Sequence, residues 1–97
     1  MRIISRKILR KFWEKHPDAQ NSLQTCYIDV KHANWKKPSD IKAIYQTASF
    51  LQNNRIIFNI KGNTYRIVVV VHYKKGDVFI RFVGAHSEYD RIDANKI

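Results

Sequence analysis

The sequence predicts an α+β domain in which N-terminal helices pack on a C-terminal antiparallel β-meander. In the first half of the chain, apolar residues recur every three or four positions, as on one face of a helix. From Arg55 onward they form continuous runs separated by short glycine-containing turns, which is typical of strands joined by hairpins. The 97 residues suffice for one hydrophobic core, so we expect a single domain over residues 1–97.

The first helix is expected to begin after a short edge strand over residues 2–4. Ser5 is the predicted N-cap, and the helix should continue to about Lys15. The residues that would share its apolar face are Ile8, Leu9, Phe12 and Trp13. The opposite face is basic and carries Arg6, Lys7, Arg10, Lys11 and Lys15.

Two further helices are predicted before the strands. Pro17 ends the first helix, and the second should run from Asp18 to about Ala33. Its apolar stripe consists of Leu23, Cys26, Tyr27 and Val30. A short third helix is expected over residues 39–45, with Ile41 and Ile44 facing the core.

Three isolated side chains in this half also need an interpretation. Cys26 is the single cysteine, so we expect a buried structural thiol and neither an internal disulfide nor a cysteine-based zinc site. Trp13 is predicted to join the core. Trp35, beside Lys36 and Lys37, is either a lid on the core or a platform for stacking a base, and the lid is the favoured interpretation.

Three strands are predicted in the second half, over residues 56–60, 64–73 and 78–83. Lys61-Gly62-Asn63 forms the first predicted turn, and residues 74–77 form the second. The two longer strands lack a clean apolar–polar alternation, so both of their faces should be covered. A helical stretch is expected over residues 87–94.

The charge of the chain points to an anionic partner. Eighteen basic residues stand against eight acidic ones, for a formal net charge of +10. Nucleic acid is the first candidate, followed by an acidic protein, while a membrane is the weakest because the longest apolar run, residues 67–71, has the length of a strand. The start of the sequence resembles no export signal, so we expect a cytoplasmic protein.

A titratable cluster follows the last strand. His86 comes two residues after Gly84, and Glu88 and Tyr89 follow two and three residues later. Histidine is the side chain whose unperturbed proton exchanges near neutral pH, so His86 is a candidate general acid or base. The alternative is a hydrogen-bonded loop residue. Glu88 and Asp90 are expected to serve as cap or salt-bridge residues.

Two arginines lie inside otherwise apolar strands and need a reason to be there. If Tyr73 pairs with Val78, Arg66 falls opposite Ala85, beside His86. Arg81 would share that face roughly 13 Å away. Each arginine is either half of a structural salt bridge or a clamp for phosphate.

Three stretches, residues 35–42, 55–66 and 80–93, resemble the HigB family of bacterial type II toxins, within the RelE-like superfamily. The resemblance implies a ribosome-dependent endoribonuclease that cleaves translated mRNA without a metal and leaves a cyclic phosphate and a 5′-hydroxyl. It also implies a HigA-like helix-turn-helix antitoxin that represses the shared operon, so that operator DNA is contacted only through the complex.

The resemblance assigns roles to residues of this chain. Arg66 resembles the arginine at the phosphate, His86 lies where many relatives carry a basic residue, and Tyr89 resembles the C-terminal catalytic tyrosine, although its spacing from the glycine is shorter here. Lys61 is expected to assist Arg66. The expected RNA- or phosphate-binding residues are Lys61, Arg81, Arg6, Lys7, Arg10 and Lys11.

Two other classes of function remain open from the sequence. One is a non-catalytic RNA- or ribosome-binding module that uses the same basic faces, and the other is an interaction protein that docks an acidic partner. His16, His32 and His72 are dispersed, so we expect no metal site and no cofactor.

Overall fold

The computed structural model describes residues 1–62 and 64–97 of the protein. Its strands are β1 (Arg2–Ile4), β2 (Ser49–Phe50), β3 (Arg55–Ile60), β4 (Tyr65–His72) and β5 (Asp77–Ala85). Its helices are α1 (Arg6–Lys15), α2 (Gln20–His32), α3 (Pro38–Ile44) and α4 (His86–Tyr89), with a 3-10 turn at Pro17–Ala19. The α+β class and the order of helices and strands are as predicted.

The strands form one five-stranded sheet in the order β1-β5-β4-β3-β2. The predicted antiparallel meander is confirmed for β3, β4 and β5. The predicted edge strand over residues 2–4 is confirmed as β1, which lies parallel to β5 with Ile3 opposite Val78. One strand was not predicted. The two-residue β2, which is too short to leave a periodic pattern in the sequence, pairs with β3 at the other edge.

The predicted helices cover one face of the sheet, which we call the helix face. The helix residues that form this core include Leu9, Leu23, Cys26, Val30 and Ile41. Trp35 is only 3% exposed and lies against the ring of Phe58, so it is part of the core rather than an exposed platform. Ile44 is 63% exposed, so its predicted inward position is wrong: it lies in the last turn of α3, which faces solvent.

The N-terminal cap of α1 also differs from the prediction. Ser5 has a left-handed backbone (φ 72°), and its side chain makes no capping hydrogen bond. The first turn is instead closed by the backbone, because the amide of Ile8 donates to the carbonyl of Ser5 over 3.0 Å. α1 ends at Lys15 as predicted, while Pro17 opens the 3-10 turn rather than α2 itself.

The opposite face of the sheet, which we call the open face, is covered in its middle by the C-terminal segment. Ala94 and Ile97 pack against Ile57 and Val68, and Nε of Arg55 donates to the carbonyl of Ile97 over 2.7 Å. Both faces of β4 are therefore covered at its centre, as predicted. α4 is a single turn, so the helix predicted over residues 87–94 is wrong in extent: the chain leaves helical geometry to lie across the sheet.

The register between β4 and β5 differs from the predicted one. Val78 pairs with Val71 rather than with Tyr73. An irregularity between Val68 and Val69 then leaves Arg81 as an extra residue in β5, a β-bulge, and the shift brings Arg66 opposite Gly84. In the β3–β4 turn, Lys61 and Gly62 have left-handed φ values of 52° and 67°, whereas Asn63 lies outside the described residues.

Candidate active site

The open face presents Arg66 beside the end of β5. Its neighbours Tyr65 and Ile67 are buried on the helix face, and the two-residue repeat of a strand therefore directs Arg66 to the open face. Its guanidinium carbon lies 4.6 Å from the centre of the Tyr89 ring. The structure thus brings together two of the predicted catalytic residues, Arg66 and Tyr89, in a cation–π contact.

A glycine is required opposite Arg66 because there is no room for a side chain. A Cβ atom on Gly84 would lie 2.6 Å from Cζ of Phe82 and 3.3 Å from Cβ of Glu88. Phe82 in turn lies beside Tyr89, with ring centres 6.5 Å apart. The glycine therefore leaves room for the Phe82 ring beside the Tyr89 ring, over which the Arg66 guanidinium lies.

His86, the third predicted catalytic residue, is the first residue of the single turn of α4, directly after β5. The backbone amide of His86 donates to the carbonyl of Thr64 over 3.3 Å, just before β4 begins. The amide of Ala85 donates to Oε1 of Glu88 over 3.0 Å, which is the capping role predicted for Glu88. These two bonds hold His86 and Tyr89 on one turn beside the start of β4.

His86 is paired with the carboxylate of Asp90, for which a cap or salt-bridge role was predicted. Nδ1 of His86 lies 3.1 Å from Oδ2 of Asp90, four residues later, and the two side chains are 45% and 57% exposed. An ionised carboxylate only accepts, so Nδ1 donates and Nε2 is the nitrogen left to exchange a proton. The i, i+4 spacing on a short helix was the sequence signal for this pair.

Lys61 is held on the helix face. Its Nζ donates to Oδ2 of Asp18 over 3.0 Å, and the hydroxyl of Tyr65 donates to both oxygens of the same carboxylate over 2.9 and 2.8 Å. The bonds from Lys61 and then Tyr65 lower the pKa of Asp18, and the bond to Asp18 raises the pKa of Tyr65. A phosphate near Lys61 would have to compete with Asp18 for the ammonium.

The remaining predicted cations lie outside this cluster. Arg81, the bulge residue, is exposed, and its guanidinium carbon lies 5.7 Å from the centre of the Phe79 ring. The basic side chains of α1 that were predicted to bind RNA are exposed, and they are Arg6, Lys7, Arg10 and Lys11. Lys11 lines a groove of about 530 Å³ that also contacts Val83 and Glu88, so α1 borders the same end of β5.

Within residues 1–62 and 64–97, no three His, Cys, Asp or Glu side chains are grouped so that they could hold a metal ion. Cys26 is buried in the core, as predicted, and burial raises the pKa of its thiol to about 11. None of the helices that the structure describes is long and apolar enough to cross a membrane.

Comparisons with known proteins identify relatives of this fold and site. A family model described as HigB_toxin, RelE-like toxic component of a toxin-antitoxin system, matches residues 19–92, a range that contains Arg66, His86, Tyr89 and Asp90. The chain is 29% identical over 92 residues to the mRNA interferase toxin HigB of Escherichia coli (strain K12), which covers 93% of this chain and 88% of the relative. The mRNA interferase HigB proteins of Escherichia coli O157:H7 and Shigella flexneri match to the same extent.

Proposed function

The chain belongs to the HigB toxin family, the RelE-like toxic components of toxin–antitoxin systems, and we propose that this toxin, an mRNA endoribonuclease like its relatives, cleaves message on the ribosome without a metal ion. The observation that carries the proposal is the convergence of Arg66, Tyr89 and the His86–Asp90 pair at one end of β4 and β5.

The proposed reaction is an attack by the ribose itself. The 2′-oxygen forms a bond to the adjacent phosphorus as the bond from phosphorus to the 5′-oxygen breaks, which leaves a 2′,3′-cyclic phosphate and a 5′-hydroxyl. One proton leaves the 2′-hydroxyl and one reaches the departing 5′-oxygen. The reaction therefore needs a proton carrier and a group that stabilises the negative charge that builds on the phosphate.

His86 is the proposed proton carrier. Asp90 fixes the proton of the imidazole on Nδ1, which leaves Nε2 as the atom that exchanges a proton. The same carboxylate stabilises the imidazolium that forms when Nε2 accepts a proton, as in other histidine–carboxylate pairs. Asp90 is thus a positioning residue that acts through His86.

Arg66 is the residue proposed to bind the phosphate. Its planar fork can donate two parallel hydrogen bonds to phosphate oxygens, which a lysine cannot reproduce. The Tyr89 ring beneath the guanidinium fixes its plane. Tyr89 also presents a hydroxyl at this end of the sheet, where it would assist proton transfer or stack on a base.

The partners follow from the family and the charge. A toxin–antitoxin family member has an antitoxin, for which we propose a HigA-like helix-turn-helix protein that contacts operator DNA on behalf of the complex. The exposed cations of α1 would meet ribosomal RNA, and Arg81 would meet the message. The action on ribosomes would occur in the cytoplasm.

The ends of the cleaved RNA provide the sharpest test of the proposal. Purified toxin should cut mRNA on translating ribosomes and leave cyclic or 3′-phosphate ends. The variant His86→Ala should fold and should lose cleavage. Products with 3′-hydroxyl ends would indicate metal-assisted hydrolysis instead, and RNA binding without any cleavage would indicate a binding module.

A further inference from the structure

Aromatic and basic side chains follow β5 on the open face from the candidate active site to the far end of the strand, and the C-terminal segment packs on one of them, the half-buried Phe82. We call these side chains the aromatic–arginine strip; its members in order are Arg66, Tyr89, Phe82, Arg81, Phe79 and His72. Beyond the Arg66–Tyr89 and Tyr89–Phe82 contacts, the Arg81 guanidinium lies over Phe79 at 5.7 Å. The Phe79 and His72 ring centres are 5.0 Å apart.

The bulge in β5 places Arg81 in this strip. Val70 is opposite Phe79 and Val68 is opposite Phe82, so both rings lie on the open face, and Arg81 is the extra residue between them. Bulges commonly redirect a side chain next to functional sites. Here the redirected guanidinium is exposed and rests on a ring, which leaves its outer plane and N–H groups available to a ligand.

The far end of the strip favours an anion. The buried carboxylate of Asp77 is neutralised by Arg2, whose Nε and Nη2 donate to its two oxygens over 3.0 and 3.1 Å. Beside His72, a recess of about 330 Å³ is lined in addition by Lys74 and Lys75. Basic groups thus lie at the beginning, in the middle and at the end of the strip.

We propose that the aromatic–arginine strip is a track for single-stranded RNA that continues from the cleavage site toward the β4–β5 turn. A base would stack on the exposed edge of Phe79 and His72, and Arg81 would contact a phosphate or a base plane. Cations alone would suit an acidic protein equally well, but alternating rings and arginines match a strand of bases and phosphates. This inference rests on the proposed function, because it takes the substrate to be RNA.

The test measures RNA binding separately from cleavage. A fluorescent single-stranded oligoribonucleotide of mixed sequence is titrated, by anisotropy and over a range of salt, with variants made in the inactive His86→Ala background. Phe79→Leu should weaken binding by about tenfold, the scale of one lost base stack, and leave the salt dependence unchanged. Arg81→Gln should weaken binding and reduce the salt slope by about 0.7, the value for one phosphate contact on a single strand.

Matched controls separate the track from general charge and hydrophobicity. Phe50→Leu removes another partly exposed phenylalanine, on β2, and Lys31→Gln removes an exposed cation from α2. Both should bind like the parent. Phe79→Tyr keeps the ring and should restore binding, and thermal unfolding would identify any loss that stems from misfolding.

The outcomes distinguish the track from the proposed activity. If Phe79→Leu and Arg81→Gln bind like their controls, the track is disproved, whether or not the wild-type protein cleaves mRNA. If the variants show the expected losses while the wild-type protein cleaves nothing, the track stands and the catalytic proposal fails. If the variants lose antitoxin affinity and keep RNA affinity, the strip is a protein-docking surface and the inference is wrong.

Discussion

His86 owes its chemical setting to Asp90, and the pair can be separated by a change of one atom. Asp90→Asn keeps a hydrogen-bond acceptor for Nδ1 but removes the charge that stabilises the imidazolium. We expect slower cleavage than wild type, because the imidazolium that forms when His86 accepts a proton loses its counter-charge. The measurement is the single-turnover cleavage rate. A rate equal to that of wild type would mean that the charge of Asp90 has no part in the reaction.

The Arg66 guanidinium lies over the ring of Tyr89, another residue of the candidate active site. Arg66→Lys keeps the charge and loses both the fork and the stack on Tyr89. Cleavage should fall by about 10²-fold or more, the scale for removing a transition-state donor, while the melting temperature changes little. The exposed Arg91 gives a matched control, since Arg91→Lys should leave cleavage unchanged. Retained activity with reduced stability would assign Arg66 to a structural ion pair.

At the scale of single residues, the sequence pointed to the site but not to its contacts. A histidine after the glycine that ends a strand was enough to locate the cluster. The partners of Lys61 could not be read from the sequence, because Asp18 is 43 residues away and no local pattern joins them. Asp90 was predicted as a cap or salt-bridge residue, without His86 as its partner.

Among the elements, β5 sets the geometry of the site through its bulge and its glycine. Gly84→Ala would push a Cβ atom against the Phe82 ring, which Tyr89 and the C-terminal segment hold in place. The free energy of unfolding should fall by about 1–3 kcal/mol, as for other overpacked sites. Denaturant titration would measure this.

A second substitution tests the cause of that loss. Phe82→Leu removes the ring atoms that the new methyl group would meet. The double variant Gly84→Ala/Phe82→Leu should therefore be less destabilised than the sum of the two single variants. Additive losses would show that the alanine acts through the backbone and not through the ring.

The elements also show where a sequence pattern stops being informative. Helix and strand identities followed from periodicity, and they were correct for α1, α2 and the three long strands. The register was not, because the β4–β5 turn lies one residue earlier than predicted, which pairs Val78 with Val71, and the bulge at Arg81 then shifts the pairing again. Arg81 nevertheless lies over the ring of Phe79, on the same face as Arg66, as predicted. The predicted extent of α4 was wrong because residues 94 and 97 pack against the sheet, and this packing overrides local helix propensity.

For the whole molecule, the Asp18–Tyr65–Lys61 group ties the connection between α1 and α2 to the β3–β4 hairpin. The pKa of Asp18 is lowered in the folded protein from 3.8, so its contribution to stability is present above that value and is lost as pH falls through the lowered pKa. Asp18→Asn should therefore reduce the melting temperature at neutral pH and have a shrinking effect in acid. A difference that grows toward low pH would contradict this assignment.

At alkaline pH, the contribution of this group to stability is lost as the pH rises instead of as it falls. The pKa of Tyr65 is raised above 10.0 in the folded protein, so the protonated hydroxyl stabilises the fold below that pH, and the contribution is lost as pH rises through the raised value. Tyr65→Phe should abolish this alkaline component. The two variants together would show whether the group acts as a unit.

Cys26 makes the protein a reporter of its own unfolding. It is the single cysteine of the chain, and its side chain lies in the core between α2 and the sheet. A thiol reagent reaches this buried side chain when the structure around it opens, so the rate of labelling counts those openings. Slower labelling on addition of the antitoxin would show that the partner suppresses the openings, whereas an unchanged rate would confine the partner to surfaces that do not control them.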